Sequence, residues 1–454
     1  MNKIKCLLVA GAVTVAAVAA KAQTVTPEIE KRAADIVTKM TLEEKVSYLS
    51  GATSFSLREI PRVGIPTVLL ADGPVGIRNH APHSTLYPAS MLSAATWNRD
   101  LLYRLGRSLG DDARARGVGI LLGPGVNIYR SPLCGRNYEY FGEDPYLTGE
   151  AALAYINGVQ SRGVLATIKH FAGNNQEWSR HHVSSEIDER TLFEIYFPAF
   201  QKAVTKGKVG SVMDSYNLLN GVHSTENAWL NKEVLRKRWG FDGIIMSDWT
   251  SVYSTVAAAN NGIDLEMPKG KNFTVDKIRA AIEAGTVDER VIDEKVKHIL
   301  QTVIAFGIFD RKQKEESLPL DNPSSHETAL ALAREGIVML KNDGGVLPMR
   351  GSIALVGPNA TVITTGGGSG NVVPFSSTPV SEALKKMNKK TIMLTDDVIY
   401  DDIADQVFTD STMKTKGFHG EYFKNKGLKG AADVVRIDPK VDFDWEYESI
   451  DRKS

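Results

Sequence analysis

Gly240-Phe241-Asp242-Gly243-Ile244-Ile245-Met246-Ser247-Asp248-Trp249 is the stretch from which the chain is best read. Ile244 to Met246 is a short, wholly apolar run, the pattern of a parallel strand buried on both faces. Asp248 and Trp249 follow it at once. Where strands and helices alternate around a barrel, the C-terminal ends of the strands form the reactive face. A carboxylate placed there, beside an aromatic platform, suits attack on a sugar carbon. The competing reading makes Asp248 the cap of the next helix.

Upstream, helical and strand patterns alternate. Thr41-Leu42-Glu43-Glu44 is a capping box that opens a helix. Thr67 to Leu70 reads as a strand ending at Asp72. Leu101 to Arg116 places Leu101, Leu102, Leu105, Leu109 and Ala113 at helical spacing. Val118–Leu122 and Val164–Ile168 read as strands, Asp188–Val204 as an amphipathic helix, Val209–Met213 as a strand and Asn231–Trp239 as a helix. Alternation over nearly 300 residues predicts an α/β fold, either a (β/α) barrel or a doubly wound sheet.

The chain has 454 residues, 54 basic and 54 acidic, and this neutral balance speaks against nucleic acid or an anionic membrane as partner. Lys3 and Lys5, the apolar run Leu7–Ala20 and Ala20-Lys21-Ala22 form a signal peptide over 1–22, cut near Ala22. The apolar run is short for a membrane span, so a periplasmic or secreted protein with no membrane association after cleavage is expected. Cys6 falls in the signal, leaving Cys134 alone in the mature chain; a disulfide within it is excluded, and a thiol nucleophile or cysteine-based metal site is disfavoured.

Residues 23–310 form the first unit and 311–325, charged and containing Pro319 and Pro323, a linker. Residues 326–413 begin a second unit: a helix over Glu327–Leu340, a strand over Ile353–Val356, then the flexible run Gly366-Gly367-Gly368-Ser369-Gly370. That run lacks the Lys-Ser/Thr of a phosphate loop, so nucleotide binding is not expected. From 414 to 454 the segments Gly417–Phe423 and Val441–Trp445 are β-rich. Roughly 40 residues make a poor core of their own, which reads as a third domain cut short.

Polar side chains gather at the strand ends of the first unit: Asp72, Asn127 and Arg130, Arg136, Lys169-His170, Tyr216-Asn217 and Asp248-Trp249. Carboxylates accept from paired hydroxyls, cations donate to them, and an aromatic face covers the apolar side of a pyranose. Each residue also has a plainer role. Asp72 before Gly73-Pro74 suits a turn, Arg136 near Glu139 a structural ion pair, and Met213 a core position. His181-His182 lacks a third ligand at a recognisable spacing, so no metal is expected.

In these segments the chain resembles glycoside hydrolase family 3, close to its bacterial β-glucosidases. The resemblance runs through Ala71–Arg78, Gly123–Ile128, Gly135–Pro145, Lys169-His170-Phe171, Ser211–Gly221, Gly240–Trp249 and Asp264–Pro268, in the family's order. It implies a (β/α)8 TIM-like barrel. Through Ala333–Asn342 it implies the start of an α/β sandwich domain, and from about 416 the opening of a protective-antigen-type β-sandwich insert. It implies that Asp248 is the nucleophile of a retaining exo-glycosidase. Asp72, Arg136, Lys169 and His170 then bind the hydroxyls of the non-reducing-end sugar, while Met213, Tyr216 and Trp249 wall the subsite. Lys169 and Arg136 supply positive charge near the nucleophile. In such enzymes a second carboxyl group roughly 5–5.5 Å away protonates the leaving oxygen. In the family that glutamate lies beyond Ser454; Glu139, Glu143 and Glu177 receive no such role, so the chain is expected to lack its general acid. No cofactor is implied, and the expected partner is an oligosaccharide or glycoside.

Two further comparisons narrow the substrate. The N-acetylglucosaminidase branch reads Lys-His-Phe-Pro-Gly-His-Gly where this chain has Lys169-His170-Phe171-Ala172-Gly173-Asn174-Asn175, which disfavours that activity. Xylosidase-like members tend to carry Glu at the place of Asp72, so Asp72 favours a hexose. A β-glucosidase is the resulting expectation. A β-xylosidase or α-L-arabinofuranosidase, or a non-catalytic sugar-binding fragment, is the alternative.

Overall fold

Seven short strands hydrogen-bond in the order Gly51–Thr53, Ser56–Leu57, Val68–Asp72, Val118–Leu122, Leu165–Phe171, Ser211–Asp214, Ile244–Met246. The computed structural model describes residues 24–387, 391–394, 408–409, 414–425 and 427–439. The expected signal peptide and the Val441–Trp445 segment lie outside the described residues. The first three strands pair antiparallel and the remaining neighbours parallel.

The strands are apolar on both faces because both faces are covered. Alternate residues divide between two cores. Ala71, Leu121, Val212 and Ile245 join a cluster with the helices Arg99–Arg114 and Pro145–Gln160. Leu70, Ile120, Leu122, Met213, Ile244 and Met246 point into a second, with Leu265 and Met267. The sheet curls. Single bridges join Met246 to Leu265 and Ser50 to Glu266, linking the last strand to the segment beside the first.

The capping box forms as expected. Thr41 accepts from Glu44 N, and the Glu44 side chain accepts from Thr41 N. The helix expected over Asp188–Val204 is broken. Glu189–Thr191 is followed by a wide turn over Leu192–Tyr196, where Phe197 N bonds Leu192 O, and a new helix runs Pro198–Thr205. Pro198 has no N–H to continue the ladder. Trp229–Arg238 is similarly widened, with Trp239 N on Val234 O.

The charged stretch after residue 310 is tied to the unit around the sheet. Arg311 donates to Gly163 O at 2.5 Å and Glu315 N to Arg114 O at 2.9 Å. The next helix, Pro323–Gly336, packs on Arg99–Arg114 through buried Leu332 and two hydroxyl contacts, Ser325 to Asp112 and Thr328 to Ser108. The compact unit comprises residues up to Met339 together with Thr365–Phe375. A second unit, Leu340–Thr364 with Ser376–Ser454, contains the parallel pair Ile353–Val356 and Thr391–Leu394, and the antiparallel pair Phe418–Tyr422 and Val434–Asp438. No helix among the described residues is long and apolar enough to cross a membrane.

Candidate active site

The parallel strands deliver their polar C-terminal residues to one rim of the sheet, where a pocket of about 480 Å³ opens. Asp72, Arg136, Lys169, Met213, Tyr216, Asp248 and Trp249 all line it. His170 stands behind them, fully buried, with Nε2 3.4 Å from Asp248 Oδ2. All eight residues that the resemblance assigns to the site are therefore brought together, whereas Arg130 and Asn217 line a neighbouring cavity.

Asp248 follows the Ile244–Met246 strand by two residues and is 6% exposed. Its Oδ1 accepts from Trp249 N at 2.7 Å, and Arg136 Nη1 lies 3.6 Å from Oδ2. Tyr216 faces the same carboxylate; burial, then that negative charge, raises its phenol pKa. Burial, followed by the charges of Arg136 and Lys169, pushes His170 well below the usual histidine range, so its ring is neutral. Tyr140 Oη lies 3.1 Å from His170 Nδ1, and the Asn127 amide bonds the His170 backbone at both N and O. A shift in strand register between Lys169 and Phe171 accompanies this. Such an irregularity lets consecutive side chains reach the same site.

Beneath the pocket lies Glu139, with no exposed surface. It pairs with Arg136 Nε through Oε1; Lys169 Nζ is 3.8 Å from Oε2, and Ser369 Oγ donates to Oε2 at 2.9 Å. Burial pushes the Glu139 carboxyl up, but Arg136 and Lys169 outweigh it and hold the group below the ordinary carboxylate range. Burial likewise opposes the charge on Arg136, and Glu139 more than restores it. Asp72 accepts from Arg78 Nη1 at 3.1 Å; here burial prevails over Lys169 and Arg78, and the carboxyl is raised. One wall sets Phe55 against Trp249, tilted by 37° with ring centroids 5.3 Å apart; another sets the Arg180 guanidinium 3.8 Å over the Tyr216 ring.

Several lining residues escaped the sequence reading. Arg78 had a faint signal, since it closes the turn that Asp72 opens. Phe55 had none, because it comes from a separate hairpin. The Gly366–Gly370 run, expected as a flexible loop, forms a short 3-10 turn at Gly368–Gly370 over Tyr138. Tyr138 Oη donates to Gly367 O at 3.1 Å and receives Gly370 N at 3.2 Å. A Cβ at Gly366 or Gly370 would collide with the Tyr138 ring, so glycine is required at both. Among the described residues no group of three or more His, Cys, Asp or Glu side chains could hold a metal ion, and His181 Nδ1 instead meets the Tyr253 hydroxyl at 2.9 Å.

Comparison with known proteins gives the family. The chain is 40% identical to a β-glucosidase of Rhizobium radiobacter over 425 residues, 90% of this chain and 51% of that one. It is 41% identical to thermostable β-glucosidase B of Acetivibrio thermocellus over 433 residues, 92% of this chain and 55% of that one. The solved structure of β-glucosidase 3B from Thermotoga neapolitana in complex with glucose superposes with a TM-score of 0.75 at 35% identity, covering 84% of this chain and 58% of that one. The chain thus spans about half the length of the curated relatives it matches. The glycosyl hydrolase family 3 N terminal domain matches residues 33–302 and the family's C-terminal domain residues 337–442. With the pocket placed on the first of these matches, the chain belongs to glycosyl hydrolase family 3.

Proposed function

We propose that the pocket is the glycone site of a retaining exo-acting β-glucosidase, with Asp248 as its nucleophile. One observation carries the reading. Asp248 lines the pocket with its Oδ1 fixed by Trp249 N, and Arg136 and His170 flank its Oδ2. An Asp248 oxygen bonds to the anomeric carbon as the glycosidic C–O bond breaks, and the leaving oxygen takes a proton from a general acid. Water later cleaves the glycosyl ester, that acid now acting as base. Asp72, Arg136, Lys169 and His170 engage the sugar hydroxyls, and Met213, Tyr216 and Trp249 wall the ring.

No carboxylate of this chain is assigned the proton-donor role. Glu139 is held ionised between two cations, and Glu177 is paired with Arg180 at 2.6 Å. Slow turnover of ordinary glucosides is therefore expected of this polypeptide, and brisk hydrolysis of cellobiose by it alone would contradict the assignment. The proposal extends to an exported protein, on the sequence of residues 1–22. It also takes the curled sheet as part of a (β/α)8 barrel, and the later segments as the start of an α/β sandwich carrying a β-sandwich insert.

The test is intact mass after incubation with a 2-fluoro-2-deoxy-β-glucoside bearing a dinitrophenyl leaving group, which needs no acid catalyst. One sugar adduct on the peptide containing Asp248, absent in Asp248→Asn, is the expected result. An adduct on another carboxylate would reassign the nucleophile. Faster labelling by the matching xyloside would favour a pentosidase.

A further inference from the structure

The neutral ring of His170 carries one proton, and the nitrogen that holds it is set by what the other nitrogen meets. Nε2 faces Asp248 Oδ2 at 3.4 Å, longer than an ordinary hydrogen bond. Both atoms are buried, and neither has a hydrogen-bond partner among the described residues. Nδ1 has two neighbours, the Tyr140 hydroxyl at 3.1 Å and Asn127 Oδ1 at 3.3 Å.

Those neighbours ask for opposite tautomers. Asn127 Oδ1 can only accept a proton from the ring, but it already accepts from His170 N at 2.9 Å, while Asn127 Nδ2 donates to His170 O at 2.9 Å. The amide is thereby oriented and its oxygen satisfied. Tyr140 is 1% exposed, and burial holds its phenol far above the usual range, so the hydroxyl keeps its proton. Among the described residues His170 Nδ1 is the one acceptor that this hydroxyl meets. A proton on Nδ1 would leave the hydroxyl hydrogen without an acceptor and set the bare Nε2 lone pair against the Asp248 carboxylate. A proton on Nε2 removes both penalties. What remains is Nδ1 beside Asn127 Oδ1, a contact between neutral groups, weaker than one involving a charge. The Tyr140 ring has little room to turn away. It meets the His170 ring edge-on with centroids 6.1 Å apart, and a Cβ at Gly125 would lie 2.9 Å from one of its carbons.

We propose that Tyr140 is a positioning residue of the reaction: its hydroxyl donates to His170 Nδ1 and so places the imidazole proton on Nε2, facing the Asp248 carboxylate. The proposal rests on the glycosidase reading of the pocket. Tyr140 does not line the pocket and acts through His170. A neutral N–H beside Oδ2 favours the ionised carboxylate without adding a third cation to Arg136 and Lys169. It also steadies the charge that Asp248 regains when water releases the sugar.

The test uses the full chain, isotopically labelled at the histidine ring nitrogens and read by NMR. The His170 signals, assigned by their absence in His170→Gln, should show a protonated Nε2 and a bare Nδ1. In Tyr140→Phe that pattern should give way to a mixture of tautomers. Labelling of Asp248 by the 2-fluoro-2-deoxy-β-glucoside should slow by about tenfold, the worth of one hydrogen bond to a charged group. The acid limb of the labelling rate should move to higher pH, because the carboxylate has lost a donor. A protonated Nδ1 in the parent overturns the proposal, and that reading needs no Tyr140 variant to fold. A Tyr140→Phe chain that labels as fast as the parent overturns it too. So does slower labelling with tautomer and acid limb unchanged, which leaves the hydroxyl a packing role. Failure of the pocket reading is seen separately, as a parent chain in which Asp248 takes no label whatever the tautomer of His170.

Discussion

Glu139 meets Arg136, Lys169 and Ser369 without touching solvent. Breaking a buried pair by removing one partner leaves an uncompensated charge. Glu139→Gln should therefore cost about 3–5 kcal/mol of stability, read as a lower urea midpoint. The pH dependence has a definite sign. The folded pKa of Glu139 lies below its unfolded value, so its contribution is present above about pH 4.5 and is lost as pH falls through the lower folded value. Urea melts between pH 3 and pH 6 should show that acid loss in the parent and a shallower one in Glu139→Gln. At this scale the sequence was most readable where polar residues end apolar strands. Asp72, Lys169 and Asp248 could be found because strand ends converge. Glu139 could be seen as a partner of Arg136, but its contact with Ser369 spans 230 positions and leaves no local trace.

The Pro323–Gly336 helix rests on a buried carboxyl in its neighbour. Asp112 accepts from Ser325 Oγ at 2.8 Å and from Tyr87 Oη at 2.9 Å. Burial nevertheless pushes it up to about 6, against the pull of those hydroxyls and Arg116. The sign is opposite to that of Glu139. With its folded pKa above the unfolded one, Asp112 contributes most below about pH 4 and loses that contribution as pH rises to about 6. Asp112→Asn should remove a slope on the order of 3 kcal/mol across that window, measured by denaturant unfolding at each pH. Leu332→Ala, which empties a fully buried position on the same helix, should cost about 2–5 kcal/mol in the same assay. The elements themselves were legible where periodicity was long, as in Arg99–Arg114. The Asp188–Val204 pattern misled because amphipathic spacing survives a break, whereas the hydrogen-bond ladder does not survive Pro198.

Across the whole chain, alternation of patterns announced the α/β class, and strand ends announced residues that line the pocket. The reach of Thr365–Phe375 back to the sheet has no local signature, because a glycine run specifies freedom rather than a destination. Gly366→Ala should show what that segment does. The new methyl group meets Tyr138, so the turn must shift and carry Ser369 away from Glu139. Labelling of Asp248 by the fluoroglucoside should then slow by about tenfold, the worth of one hydrogen bond to a charged group. An unchanged labelling rate would make the turn a bystander. The seating of this turn on Tyr138 also couples two design problems. The floor of the pocket and part of its rim are written in stretches of chain far apart, yet Ser369 ties that rim to Glu139 and through it to Arg136 and Lys169, so recutting the aperture around residue 366 also retunes the charges beneath it.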